Sequence, residues 1–249
     1  KVIDFGSACY EEHTMYSYIQ SRFYRAPEVL LGIPYNGAID MWSLGCVCAE
    51  MFLGLPLFPG VSQHNQLLRI TEMLGTMPAA MVANSKHGAK FFKRASNPAS
   101  GSQHQLKTPE EFAAETNTEV PTYKKYFKYT TLEDIVIKCP LPNRNRLNDK
   151  QKQQELNHRR CFLDFLHGML RLDSWERWTP RQAIHHPFIT GKHFRGPGTF
   201  QPPVDPLSNQ RRFTHMVQTS AFAPLQHRPV ADRTPKDNTR IRGKPSESS

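Results

Sequence analysis

Asp4 is the first residue equipped for chemistry. It closes the apolar run Val2-Ile3 and is followed by Phe5 and Gly6. A carboxylate at a strand end with a glycine behind it offers a hard oxygen ligand held from one side and a backbone free to turn, as a magnesium ion beside phosphates requires. The same tripeptide also makes a plain turn, and alone it does not decide between the two. Asp40, at the start of an apolar run, reads as a helix cap. Cysteines at 9, 46, 48, 139 and 161 form no CxxC pair, and their odd number argues against both a disulfide scaffold and a zinc ribbon. Cys46 and Cys48 read as buried thiols on a helix. His185-His186 has no acid or Cys at ligand spacing, which argues against zinc there too.

The elements that must position these residues are mostly helical. Ala38 to Leu53 is apolar at 12 of 16 positions, which predicts a central helix buried on every face. Thr108-Pro109-Glu110-Glu111 and Thr179-Pro180-Arg181-Gln182 each place a hydroxyl cap, a proline at the first helical position and a Glu or Gln three after the cap; Thr131 starts another helix. Further helices are expected over 67–74 and 161–170, the latter from Phe162, Phe165, Leu166, Met169 and Leu170. The one expected strand is Lys1 to Ile3, and the polar stretch 96–105 reads as a loop. Net charge is +10, but residues 191–249 hold ten Lys or Arg against four acids and eight of the 20 prolines. That segment cannot bury enough apolar surface to offset its ordering entropy and is expected to be a disordered basic tail. No segment is apolar for long enough to span a bilayer, so a soluble protein is expected. No signal peptide is visible, and a chain starting Lys1-Val2-Ile3 reads as a fragment.

Ala26-Pro27-Glu28 follows Asp4 by 22 residues, across Met15-Tyr16-Ser17-Tyr18-Ile19-Gln20-Ser21-Arg22-Phe23-Tyr24-Arg25. Asp40-Met41-Trp42-Ser43-Leu44-Gly45 opens the apolar helix, and Arg177 precedes the last helix, which is expected to end in His186-Pro187-Phe188. In this order and spacing the chain resembles the carboxyl-terminal half of a eukaryotic protein kinase, over about residues 1–194. Ser7, the Tyr16/Tyr18 pair and Ile19 to Arg25 look like the dual-specificity tyrosine-regulated kinases. Leu106 to Phe112, Lys125-Tyr126-Phe127 and Cys161 to Phe165 look most like their Yak-type branch. The resemblance implies a mainly α fold: a kinase C-lobe (1–194, polar insert near 96–105) without its N-lobe, then a disordered tail (195–249). It implies Asp4 as the ligand of Mg-ATP, Ile3 beside the adenine, and Tyr18 as a self-phosphorylated tyrosine. Arg22 and Arg25 would grip the phosphate, whose charge of about −1.5 to −2 suits forked donors. A preference for proline after the target residue is implied through Arg25. Glu28 and Arg177 would form a buried ion pair tying the activation segment to the end of the domain, and Asp40 would accept backbone NH groups of the catalytic loop, a role compatible with capping.

No glycine-rich GxGxxG, no VAIK-like strand and no HRDxxxxN loop occurs in the sequence. Phosphoryl transfer depends on several charge clamps acting together, so the 249 residues alone are expected to be inactive and to need the missing lobe as partner. Protein substrates, ATP and Mg2+ are expected for the complete domain. A noncatalytic docking module is the alternative. Nucleic-acid binding is disfavoured, since no aromatic residues alternate with the tail cations, and no membrane is expected. Cytoplasm and nucleus are both open as location.

Overall fold

The computed structural model describes residues 3–6, 8–10, 19–95, 103–140 and 147–206, all within the unit Lys1–Gln210. In chain order a 3-10 turn (Arg22–Tyr24) leads to α1 (Pro27–Leu31), α2 (Ala38–Leu53), α3 (Gln63–Leu74), α4 (Ala79–Ala83), α5 (Gly88–Phe91), β1 (Phe92–Arg94) and β2 (His104–Leu106). There follow α6 (Pro109–Thr116), α7 (Leu132–Lys138), α8 (Asp149–Met169), α9 (Pro180–Ala183) and α10 (Pro187–Thr190). The fold is therefore mainly helical.

The expected central helix forms with the predicted ends, between Gly37 and a left-handed Gly54. It buries Ile39, Met41, Trp42, Cys46 and Ala49, with Trp42 stacked on Phe58 at 5.7 Å and Phe52 against Phe162 of α8 at 5.2 Å. Gly45 lets α8 come close: a Cβ there would lie 2.9 Å from Leu170 Cδ2. Burial on every face is not what the structure shows. Leu44, Val47 and Met51 are 46%, 40% and 74% exposed, and Asp40 is exposed above them. These positions share one stripe of the helix. Apolar composition alone could not reveal which face has no covering element among the described residues.

The caps predicted at Thr108, Thr131 and Thr179 all form, the first and third as full capping boxes. Two helices begin earlier than their apolar periodicity suggests. The helix expected from 67 starts at Gln63, capped by Ser62, and the one expected from 161 starts at Asp149, capped by Asn148 with Gln151. The first half of α8 is polar and gives no apolar repeat to read. Of the strand expected over Lys1 to Ile3, the first two residues lie outside the described residues and Ile3 is not in a strand. Instead β1 and β2 pair antiparallel, with Phe92 opposite Leu106 and Arg94 opposite His104; three-residue strands are too short for an alternation signal. Residues 104–105 thus leave the expected loop, while 96–102 lie outside the described residues.

At the carboxyl end His186 does not finish a helix. Its ring starts α10, Nδ1 accepting the Phe188 N–H at 3.1 Å. The boundary expected at 194 is also corrected. Gly198 N–H donates to Asp164 Oδ1 at 2.7 Å, Phe200 sits edge-on to Trp178 and His186, Gln182 donates to the Pro203 carbonyl, and Thr179 Oγ1 donates to buried Asp205 at 2.7 Å. Proline content and charge hid these few anchoring residues. Residues 207–249, the remainder of the expected tail, lie outside the described residues.

Candidate functional site

Segment 19–28 is fastened to α2 from beneath. Arg25, 2% exposed, donates from Nε to the Ile19 carbonyl at 2.8 Å and from Nη2 to the Gln20 carbonyl at 2.7 Å. Gln20 has φ of 62°, in the left-handed region, where a side-chain-bearing residue is held only if its surroundings insist. They do so through its amide: Nε2 donates to Ile39 O at 2.9 Å and Ser43 Oγ at 2.7 Å, and Oε1 accepts the Ala26 N–H at 3.0 Å. Ser43 Oγ in turn donates to the Tyr24 carbonyl, and the Tyr24 hydroxyl donates to Glu50 Oε2 at 2.6 Å. That bond to Glu50, with burial second, raises the Tyr24 pKa. On the outer side Gln66 of α3 accepts the Gly60 N–H and donates to the Phe23 carbonyl, while Arg22 donates to Val61 O at 2.8 Å.

Glu28 and Arg177 meet in the interior, 149 residues apart in sequence, at 2.8 and 3.1 Å in bidentate geometry with side chains 1% and 0% exposed. Arg177 also donates to Ala38 O at 2.7 Å and to Arg171 O at 3.2 and 3.0 Å, and its guanidinium lies 5.2 Å from the Trp42 ring centroid. Every face of the cation has a partner, which is the condition under which a buried pair is tolerated.

Asp40 is not the cap of α2. The Ala38 N–H goes to Asn36 Oδ1 at 2.9 Å, and Asp40 stands in the first turn without a side-chain hydrogen bond among the described residues. Desolvation raises its pKa. Asp4 is exposed with φ of 66°, its Oδ1 accepting the Gly6 N–H at 3.3 Å, and Ile3 is 79% exposed. Tyr16 and Tyr18 lie outside the described residues. The structure thus joins Arg25, Gln20, Glu28 and Arg177 through α2, and leaves Asp4 and Ile3 on the surface. The Arg25 fork, expected on a phosphate, has two donors on backbone carbonyls.

Burial raises the Cys46 thiol pKa strongly and that of half-buried Cys48 as well. Among the described residues no group of three or more His, Cys, Asp or Glu could hold a metal, and no helix is long and apolar enough to cross a membrane. Sequence reasoning singled out neither Gln20 nor the Asp164–His186 contact, Nε2 to Oδ2 at 3.1 Å. A polar residue inside an activation-loop-like stretch gives no sign that its backbone is left-handed, and Asp164 lies in an otherwise apolar repeat.

Comparison with known proteins agrees with this geometry. The protein kinase domain family matches residues 1–189. The dual specificity protein kinase YAK1 of Saccharomyces cerevisiae is 49% identical over 199 residues, which is 79% of this chain and 25% of that protein. The serine/threonine-protein kinase ppk15 of Schizosaccharomyces pombe is 50% identical over 195 residues, covering 78% and 36%. A YAK1 homolog of Arabidopsis thaliana is 45% identical over 216 residues, covering 82% and 22%. The matched part of the chain therefore spans between 22% and 36% of the length of these relatives.

Proposed function

This chain belongs to the protein kinase family, and we propose that it forms the carboxyl-terminal lobe of a Yak-type enzyme that phosphorylates Ser and Thr of proteins and its own Tyr18. The Arg25 clasp on Ile19 and Gln20 carries the reading. With the Gln20 carbonyl occupied by Arg25, a substrate lying along this segment finds no acceptor for the N–H of the residue after its target hydroxyl. An amide left unpaired in a closing site costs about 1–3 kcal/mol, and proline has no N–H to lose. The segment would thereby select Ser-Pro and Thr-Pro.

Magnesium, when bound with ATP, would supply positive charge against the negative charge that develops in phosphoryl transfer. Asp4 fits one ligand position, being exposed with one oxygen lightly held by Gly6, and Ile3 beside it would border the adenine. Arg22 uses one donor on Val61 and keeps others for a Tyr18 phosphate, with Arg25 at the base of the same turn. Glu28 and Arg177 fix the carboxyl end of the segment. The exposed stripe Asp40, Leu44, Val47 and Met51 suits a domain completed by further chain, which would also bring the glycine-rich loop, the strand lysine and the HRD loop that this sequence lacks. The 249 residues alone would then be inactive.

The test uses the full-length protein and three peptides that differ after the target Ser: Pro, Ala and N-methylalanine. On this reading kcat/KM for Ala falls about tenfold or more below Pro, and N-methylation recovers most of the loss. Equal rates for Pro and Ala, or no recovery on N-methylation, would refute it. Mass spectrometry of active protein should find phosphate on Tyr18.

A further inference from the structure

Between α6 and α7 the chain runs Val120-Pro121-Thr122-Tyr123-Lys124-Lys125-Tyr126-Phe127-Lys128-Tyr129-Thr130, with no acid from Val120 to Leu132. It forms neither helix nor strand, yet it has a fixed seat. Arg69 of α3, its Nε on Asn65 Oδ1 at 3.1 Å, reaches the Lys124 carbonyl at 3.0 Å. Its guanidinium stands 5.3 Å from the Tyr123 ring centroid and 5.6 Å from that of Tyr126. At the other end Tyr129 lies between Lys128 at 5.8 Å and Lys138 at 4.8 Å. The strip is presented outward: Tyr123 and Tyr126 are 41% and 44% exposed, and Lys124, Lys125 and Lys128 are exposed.

Its charge is unbalanced. Lys138 is paired with Asp134 at 2.8 Å, but Arg69, Lys124, Lys125 and Lys128 form no ion pair among the described residues. Glu72, one turn beyond Arg69 on α3, is exposed and does not pair with it. The backbone of 119–128 is open as well, its one hydrogen bond among the described residues being that from Arg69 to Lys124 O. Four uncompensated cations, two half-exposed rings and a run of unpaired N–H and C=O groups suit a partner with anionic side chains and a backbone of its own. A single-stranded nucleic acid could use the rings and cations but not the amide row, and four cations make a small footprint for a phosphate backbone.

We propose that the strip Tyr123–Tyr129, backed by Arg69, is a docking surface for an Asp/Glu-rich linear segment of a partner protein. Lysines capture its carboxylates, the tyrosines cover its backbone, and Arg69 holds both rings in place.

The test is fluorescence anisotropy on the full-length protein with a labelled alternating Glu-Asp dodecapeptide, against a phosphoserine peptide of equal length, a neutral Gly-Ser peptide and oligothymidylate. Because residues 191–249 also carry a surplus of cations, charge reversal and not bare affinity decides. Lys124→Glu, Lys125→Glu and Lys128→Glu together are expected to weaken the Glu-Asp peptide about tenfold or more, and Arg69→Gln to weaken it several-fold. Phosphorylation of a short peptide and the melting temperature of the triple variant should not change. Unaltered affinity in the triple variant overturns the proposal. So does oligothymidylate, or the phosphoserine peptide, binding more tightly than the Glu-Asp peptide and losing more on reversal, which would assign the strip to nucleic acid or to phosphorylated segments.

Discussion

Replacing Glu28 by Gln removes one charge from the interior and almost nothing else. Arg177 then keeps Ala38 O, Arg171 O and the Trp42 face, but the two contacts at 2.8 and 3.1 Å lose their anionic partner. Truncating one member of a buried pair typically costs 3–5 kcal/mol, and because Gln keeps the shape and one acceptor the expected loss is at the lower end, about 3 kcal/mol. With a denaturant slope of about 2 kcal/mol per molar in urea, that is a midpoint shift of about 1.5 M. The assay is urea unfolding followed by tryptophan fluorescence, comparing wild type, Glu28→Gln, Arg177→Met and the double variant. The double variant should recover part of the loss, since Met leaves no unpaired charge behind. A single-variant shift below about 0.5 M, under 1 kcal/mol on the same slope, would mean that the carbonyls and the indole already satisfy Arg177. Additive losses in the double variant would refute the coupling.

What the residues disclosed beforehand follows from how local each signal is. Capping boxes at Thr108 and Thr179 are complete within four residues, and both form. The ends of α2 were legible because Gly37 and Gly54 flank a run that is apolar at 12 of 16 positions. Glu28 and Arg177 were paired in advance only through resemblance to a family; nothing in the chain between them, across a separation of 149 positions, says that they meet. Gln20 illustrates the converse, because its left-handed backbone is imposed by Ile39, Ser43 and Ala26, and none of these constraints is written next to it. Phe200 and Asp205 were concealed for a compositional reason, a few anchoring side chains set among prolines and glycines. The exposed stripe on α2 could not be foreseen either, since whether an apolar face is buried depends on what lies beside it.

Two perturbations follow from packing at the carboxyl end. In Gly168→Ala the new Cβ would fall 2.0 Å from Trp178 Cε3, so the indole or α8 must shift. Overpacking this severe costs about 3 kcal/mol, the upper end of the usual range, and at about 2–4 °C per kcal/mol a calorimetric melting temperature should fall by roughly 6–12 °C; an unchanged value would show that α8 yields freely. His186 makes stability depend on pH. Its Nδ1 accepts the Phe188 N–H, so the neutral ring carries its proton on Nε2, toward Asp164. Burial lowers its pKa, the Asp164 bond acting in the opposite direction, and burial likewise lowers those of His64 and His167. An unfolded imidazole titrates near about 6.5. Below that value the unfolded chain binds protons that the folded chain does not, so stability is complete above it and declines as pH falls toward the folded pKa. Urea midpoints measured from about pH 7.5 to 5.5 should therefore decrease. His186→Gln should be less stable at the upper end and show a shallower decline, because one ring with a lowered pKa is gone. A midpoint that rises on acidification, or a decline as steep in His186→Gln as in wild type, would remove His186 from the account.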